Sequence, residues 1–192
     1  MEFFPELRWG WLNGWLLLGL LVVVDGVAFL ALPKRSVVRL FDRSGWRGWQ
    51  IVSTVIGKLL AAIVVLIIVF TPLRLGSTAF SVGATLVGVG LVVLPKALLD
   101  FANTAPDRPV TRGAYRVTRH PQNLASSLVI LGCAIAIGSW LALILFFVAR
   151  VFLHANLVAE EGVCLREYGD AYRAYVEQVP RYIALSHWGT RS

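Results

Sequence analysis

Charge is scarce in this sequence: Asp, Glu, Lys and Arg make up 15% of its 192 residues, against 57% hydrophobic. A soluble domain carries about a quarter charged residues, so a water-soluble globule is excluded. Cysteine is nearly absent. Cys133 and Cys164 are too few for a disulfide framework, and free thiols are expected. His120, His154 and His187 show no metal-ligand spacing, so no metal site is expected. The chain also lacks a glycine-rich phosphate loop, a serine nucleophile elbow and any internal repeat. The net charge is +7, but Lys and Arg form no contiguous run or stripe. That argues against a nucleic-acid-binding arm.

What the chain does have is long apolar runs, of the length that crosses a bilayer in about 20 residues. The first covers about 11–32, apolar apart from Asn13 and Asp25. Glu2, Glu6 and Arg8 precede it, unlike the positive n-region of a cleaved signal. Asp25 is costly in lipid, and a helix-to-helix hydrogen bond is its expected role. Further spans follow at about 51–70, 80–99, 124–137 and 141–157. Lys58 is placed to snorkel. Pro72 ends the second span, and Pro95 should kink the third. Ser81, Ala84 and Gly88 recur at near-helical spacing on that third span, marking a face suited to close packing. The last two spans, broken at Gly138-Ser139-Trp140, read as a helical hairpin.

The basic residues collect in three places: the loop holding Lys34, Arg35, Arg39, Arg43 and Arg47, the segment around Arg119, and the C-terminal tail. The loops near Arg74 and Ser139 hold almost none. The positive-inside rule then gives five spans, with the N-terminus outside and the C-terminus in the cytoplasm. From Glu160 to Val179 the pattern becomes amphipathic, with Leu165, Tyr168, Tyr172, Tyr175 and Val176 on one face. Arg166 with Asp170, and Arg173 with Glu177, are spaced as i,i+4 pairs. This helix is expected to lie on the membrane or to cap a site, with Gly169 as its weak point. The fold expected is an all-α integral membrane protein of one domain. Residues 1–106 are expected to form a three-helix scaffold, 107–183 a core that carries the polar motifs, and 184–192 a tail.

Chemistry concentrates in two polar clusters. Gly113 to Asn123 is a basic turn in which Pro121 suits the first turn of a helix, leaving Arg119 and His120 on its lip. Asn156, Glu160 and Glu161 close the last span. Arginine offers a fork for a carboxylate or phosphate, while a glutamate suits an amine or paired hydroxyls. Together they fit a zwitterionic, hydroxyl-bearing ligand. They equally fit a structural pair, with Arg119 against lipid headgroups.

The two blocks carry a resemblance. Gly113-x-Tyr115-x-x-x-Arg119-His120-Pro121, followed by Glu160-Glu161-x-x-x-Leu165-x-x-Tyr168-Gly169-x-x-Tyr172 and Val179-Pro180-Arg181, is similar to the isoprenylcysteine carboxyl methyltransferase family. Membrane phospholipid and thiol methyltransferases belong to the same superfamily. The resemblance, over about 107–183, implies a membrane methyltransferase using S-adenosylmethionine. The cofactor would lie on the cytosolic side under a C-terminal cover, and a lipophilic acceptor would enter from the bilayer. It implies cofactor contacts at Val110, Gly113, Tyr115, Arg119, His120, Pro121, Glu160 and Glu161. Two positions depart: Asn123 replaces the usual aromatic, and Asn156 replaces an Arg associated with the substrate carboxylate. The substrate-side candidates are therefore Asn156, Asn123 and Arg181, and the acceptor is expected to be neutral or to carry an amine or thiol. Arg150 and Arg181 are the cations able to stand in for the missing Arg. Two other readings stay open: a sterol-reductase-like oxidoreductase using NADPH, and a non-catalytic membrane protein that retains the fold.

Overall fold

The computed structural model describes residues 1–34, 36–37 and 46–183, and these fold into helices, with one long connection over residues 103–120. Arg35, Arg39, Asp42 and Arg43 of the basic loop, and the tail 184–192 with His187, lie outside the described residues. The helices are α1 (Trp15–Leu30), α2 (Gly48–Phe70), α3 (Thr78–Ala102), α4 (Pro121–Ala136), α5 (Trp140–Tyr168) and α6 (Asp170–Gln178), with a 3-10 turn at Gly113–Arg116. Among them α2, α3 and α5 are long and apolar enough to cross a membrane, with mean hydropathies of 2.7, 2.0 and 2.1. At 1.5 Å per residue, α1 and α4 are roughly 24 Å long, shorter than a hydrocarbon core of about 30 Å.

Successive helices alternate in direction between two ends of the bundle. At one end Gly14 N–H donates to Thr71 O (3.0 Å), Arg74 N–H to Ala136 O (3.1 Å) and Trp140 N–H to Glu2 O (2.9 Å). Helix α1 begins later than the hydrophobic pattern predicts, because Asn13 is consumed at this end. It is 1% exposed, and its amide donates to Arg8 O (2.6 Å) and Val69 O (3.2 Å). A buried amide must be satisfied, and here the chain does so by staying non-helical up to Gly14. At the opposite end the Arg119–His120 segment meets the end of α5 and the residues after α6.

The hairpin α4–α5 does not pack leg against leg. Helix α4 lies mainly along α3, and α5 mainly along α2, so the bundle is two antiparallel pairs that splay apart, with α1 against α3. The α3–α4 pair is a backbone-to-backbone contact. A Cβ at Gly83 would sit 2.4 Å from Gly132 O, and one at Gly90 2.7 Å from Ala125 O. The packed face of α3 is thus Gly83, Val87 and Gly90, which are buried. The expected face of Ser81, Ala84 and Gly88 is not the contact: Ser81 and Gly88 are exposed, and a Cβ added at Gly88 would meet nothing within 4 Å.

Two further expectations change. The helix after Glu160 is not one amphipathic unit. Helix α5 continues to Tyr168, and the chain breaks at Gly169, whose φ of +51° suits glycine. The break folds α6 back, burying Tyr172 and Tyr175 with Ala97, Val110 and Tyr115. Helix α6 therefore covers the polar end of the bundle. The break also separates Arg166 from Asp170, and Asp170 pairs with Arg173 instead (2.8 Å). Asp25 does not make the expected interhelical hydrogen bond: its Oδ1 is buried without a partner among the described residues. Its helix face lines the space between the two pairs.

Candidate active site

The RHP segment is placed by short-range geometry. Pro121 occupies the first turn of α4, where a missing N–H costs nothing. Just before it, Thr118 Oγ1 donates to Arg181 O (2.7 Å) and accepts from His120 N–H (3.3 Å). Arg119 N–H donates to Pro180 O (3.0 Å). The loop is thus zipped to the Val179–Arg181 strip that follows α6, although sixty residues of chain lie between. Tyr175 Oη closes the other side by donating to Tyr115 O (2.7 Å). Gly113, with φ +57°, packs against the Asp100 carboxylate, which accepts from Ala114 N–H (3.2 Å).

The two adjacent glutamates do different things. Glu161 is 8% exposed in its side chain and holds three cations. Arg181 grips it bidentately, with Nε to Oε1 at 2.9 Å and Nη2 to Oε2 at 2.6 Å. Arg119 approaches at 3.4 Å and His120 Nε2 at 3.1 Å. Glu160 is 42% exposed in its side chain, and one oxygen accepts from the Asn156 amide (2.7 Å). Its other oxygen lies 3.5 Å from His120 Nδ1. The imidazole is thus clamped between two carboxylates. Burial disfavours its charged form, but the hydrogen bonds and fields of Glu160 and Glu161 outweigh that, and the His120 pKa is raised above its ordinary 6.5. The clamp holds the His120 ring in place and favours its charged form relative to a free imidazole.

Between the splayed helix pairs lies a cavity of about 1240 Å³. Val110, Tyr115, Arg119, His120, Asn123, Asn156 and Glu160 line it. Gly113, Pro121, Glu161 and Arg181 are not among its lining residues; they hold the backbone and the ion cluster behind it. The cavity also takes Asp25, Lys58, Gln122 and Arg150, and, from α6, Tyr172 and Tyr175. Lone charges inside otherwise apolar spans were the available signal for Asp25, Lys58 and Arg150. For the α6 tyrosines the signal was the turn at Gly169. Among the described residues no cluster of His, Cys, Asp and Glu is arranged to hold a metal. Among the described residues Cys133 and Cys164 form no disulfide.

This arrangement, two polar blocks brought together at one end of an apolar helical bundle, can be set beside known proteins. The family model of phospholipid methyltransferase matches residues 52–171, well over half of the chain. The chain belongs to the phospholipid methyltransferase family. That family is part of the superfamily of isoprenylcysteine carboxyl methyltransferases, so the motif resemblance and the family match agree. No curated protein and no solved structure matches the chain. As a member of a membrane methyltransferase family, the protein has its matched span running from α2 into α6, and it contains His120, Asn123, Asn156 and both glutamates. Helix α1 and the Arg181 clamp fall outside it.

Proposed function

We propose that the protein transfers a methyl group from S-adenosylmethionine to a lipophilic acceptor that carries an amine or thiol nucleophile. The observation that carries this reading is Glu160: a half-exposed carboxylate facing a large cavity, oriented by Asn156, while its neighbour Glu161 absorbs the structural cations. Such a carboxylate suits an ammonium or a pair of hydroxyls, and the Arg119 guanidinium, which lines the cavity with its Nε unpartnered among the described residues, suits a carboxylate. Both features fit the amino-acid and ribose ends of that cofactor. A site of about 1240 Å³ exceeds the usual ~300–1,000 Å³ of a single small-molecule pocket, which leaves room for a second ligand.

When bound, the cofactor supplies a methyl group already activated on a sulfonium. The chain is then required to bind, align and exclude water, which is catalysis by positioning. Tyr115, His120 and Glu160 orient the donor end. Helix α6 roofs it, with Tyr172 and Tyr175 turned inward. Asn156 stands one turn from Glu160 on the same face and offers neutral hydrogen bonds to the acceptor, which favours an amine or thiol over a carboxylate at that point. Calorimetric titration of the detergent-purified protein with S-adenosylhomocysteine tests this. Glu160→Ala and His120→Ala should each weaken binding by about 1–3 kcal/mol. Unchanged affinity in both variants, with helical content intact, would sink the assignment, and tight binding of NADPH instead would favour the reductase reading.

We further propose five crossings, with the site end in the cytoplasm. The alternating helices collect Lys34, Arg47, Lys96, Arg112, Arg116 and Arg166 at the site end, against Arg8 and Arg74 at the other. A C-terminal reporter active only in the cytoplasm should be active. Silence there, with the opposite reporter lit, would reverse the orientation.

A further inference from the structure

The last turns of α5 present two functional faces. Asn156, Glu160, Cys164 and Glu167 line the large cavity. Ala159, Gly162 and Arg166, spaced i, i+3 and i+7, lie roughly 120° away around the helix. They line a second pocket of about 260 Å³, closed by Arg47, Trp49 and Gln50 where α2 begins. The two helices are joined beside it by Ser53 Oγ, which donates to Phe152 O (2.9 Å). Gly162 makes the room: a Cβ there would meet Arg166 Nη1 at 3.7 Å, an ordinary contact with the end of a flexible side chain.

The chemistry of this pocket is one-sided. None of its lining residues is acidic. The nearby carboxylates of α5 are committed elsewhere: Glu160 and Glu167 line the cavity, and Glu161 binds Arg181. Gln50 is 7% exposed. Its Oε1 accepts from Arg47 N–H (2.8 Å), while its Nε2 has no acceptor among the described residues. A buried amide donor without a partner is costly, and an oxygen-bearing ligand in the pocket would satisfy it. The Arg47 guanidinium has no carboxylate partner among the described residues either. Helix α2 starts here, so its first N–H groups add to the same positive field.

The surroundings select the source of the anion. Trp49 is exposed, and Ile51, Val52 and Val55 continue from it as an exposed apolar strip along a helix of membrane length. The pocket thus sits at the end of a spanning helix, where headgroups lie, with a surface for acyl chains directly beside it. We propose that this pocket binds the phosphate of an acidic membrane phospholipid, held by Arg47, Arg166 and the Gln50 amide, with its chains along α2. This lipid is not the methyl acceptor, because the pocket faces away from the cavity. It ties the start of α2 to the end of α5, the helix that carries Asn156 and Glu160. The site does not depend on which reaction the cavity performs.

Titrating the full chain in dodecyl maltoside micelles with phosphatidylglycerol, phosphatidylcholine or inorganic phosphate tests the site. Binding is read from the concentration dependence of the unfolding midpoint. Wild type should bind phosphatidylglycerol on the order of tenfold more tightly than phosphatidylcholine, and inorganic phosphate only weakly. Arg47→Gln and Arg166→Gln should each weaken phosphatidylglycerol roughly fivefold. Gly162→Leu fills the pocket without changing charge and should weaken it at least as much. Arg173→Gln is the control: Arg173 is exposed, pairs with Asp170 and lies outside the pocket, so this variant should bind as wild type does. Equal binding of the two lipids by wild type would overturn the proposal. So would undiminished phosphatidylglycerol binding in Gly162→Leu, or an equal loss in Arg173→Gln, since either marks diffuse attraction to a basic surface. Inorganic phosphate binding as tightly as phosphatidylglycerol would overturn it too, by marking a free-anion site. None of these outcomes requires that the cavity bind a cofactor.

Discussion

Glu161→Ala is expected to cost roughly 3–5 kcal/mol of stability, the range for removing one partner of a buried ionic cluster. The reason is that the loss falls on the groups left behind. Arg119 and His120 are each 10% exposed in their side chains; Arg119 would stay buried without its carboxylate, and His120 would keep only Glu160. Arg181 is 30% exposed and can turn to water, releasing the strip that closes over the RHP loop. The measurement is thermal unfolding in detergent micelles, with limited proteolysis after Arg181 as a second readout. A pH series makes the test more specific. The folded-state pKa of His120 is raised above 6.5, so its contribution to stability is complete below about 6.5 and is lost as pH rises through the raised value. Wild type should therefore lose stability as pH climbs above 6.5, and Glu161→Ala should lose less over the same interval, with Glu160 alone facing the ring. An unfolding midpoint in Glu161→Ala equal to wild type would show that the cluster does not hold this end together.

Gly83→Leu is expected to break the α3–α4 pair and, through it, the site. Even a single added carbon at Gly83 would lie 2.4 Å from Gly132 O, 2.7 Å from Ala136 N and 2.8 Å from Ala136 Cβ. Those are mostly backbone atoms, and they yield only if the helices separate. Overpacking usually costs about 1–3 kcal/mol, and a leucine against backbone belongs at or beyond the upper end. The consequence reaches His120, because α4 begins immediately after it. Moving α4 away from α3 pulls the imidazole from Glu160 and Glu161, so binding of S-adenosylhomocysteine should fall together with stability. Gly88→Leu is the matched control, since nothing lies within 4 Å of its added carbon. Its unfolding midpoint should stay close to that of wild type. If Gly88→Leu proved the more damaging of the two, the packed face of α3 would have to be redrawn.

These two cases show where reading the residues succeeds and where it stops. Pro121 at a first helical turn, Asn156 and Glu160 one turn apart, and the apolar length of α2, α3 and α5 follow from local rules, because helical spacing and the lack of a proline N–H act within a few residues. The resemblance carried by the two polar blocks was equally legible, and the family match agrees with it. The packed face of α3 was not. A span that is apolar all round has no polar side to declare which way it turns, so the spacing of Ser81, Ala84 and Gly88 pointed to a face that the bundle leaves unpacked. The later start of α1 was hidden too, because the amide of Asn13 is satisfied by a carbonyl 56 residues away.

The sequence by itself determined that this is a helical membrane protein, that its polar chemistry gathers in two blocks, and that those blocks resemble a methyltransferase. Tertiary structure alone decided the division of labour within them. Glu160 and Glu161 are neighbours, yet they project roughly 100° apart around α5, and only the positions of Arg119, His120 and Arg181 tell which one is spent on structure. Likewise only the splaying of α3–α4 from α2–α5 opens the cavity and turns Arg150 and Lys58 from isolated charges in apolar spans into facing walls of one site. The physical reason is the same in each case. Burial and pairing depend on which surfaces meet across the bundle, and that is set by close backbone contacts far apart in the chain.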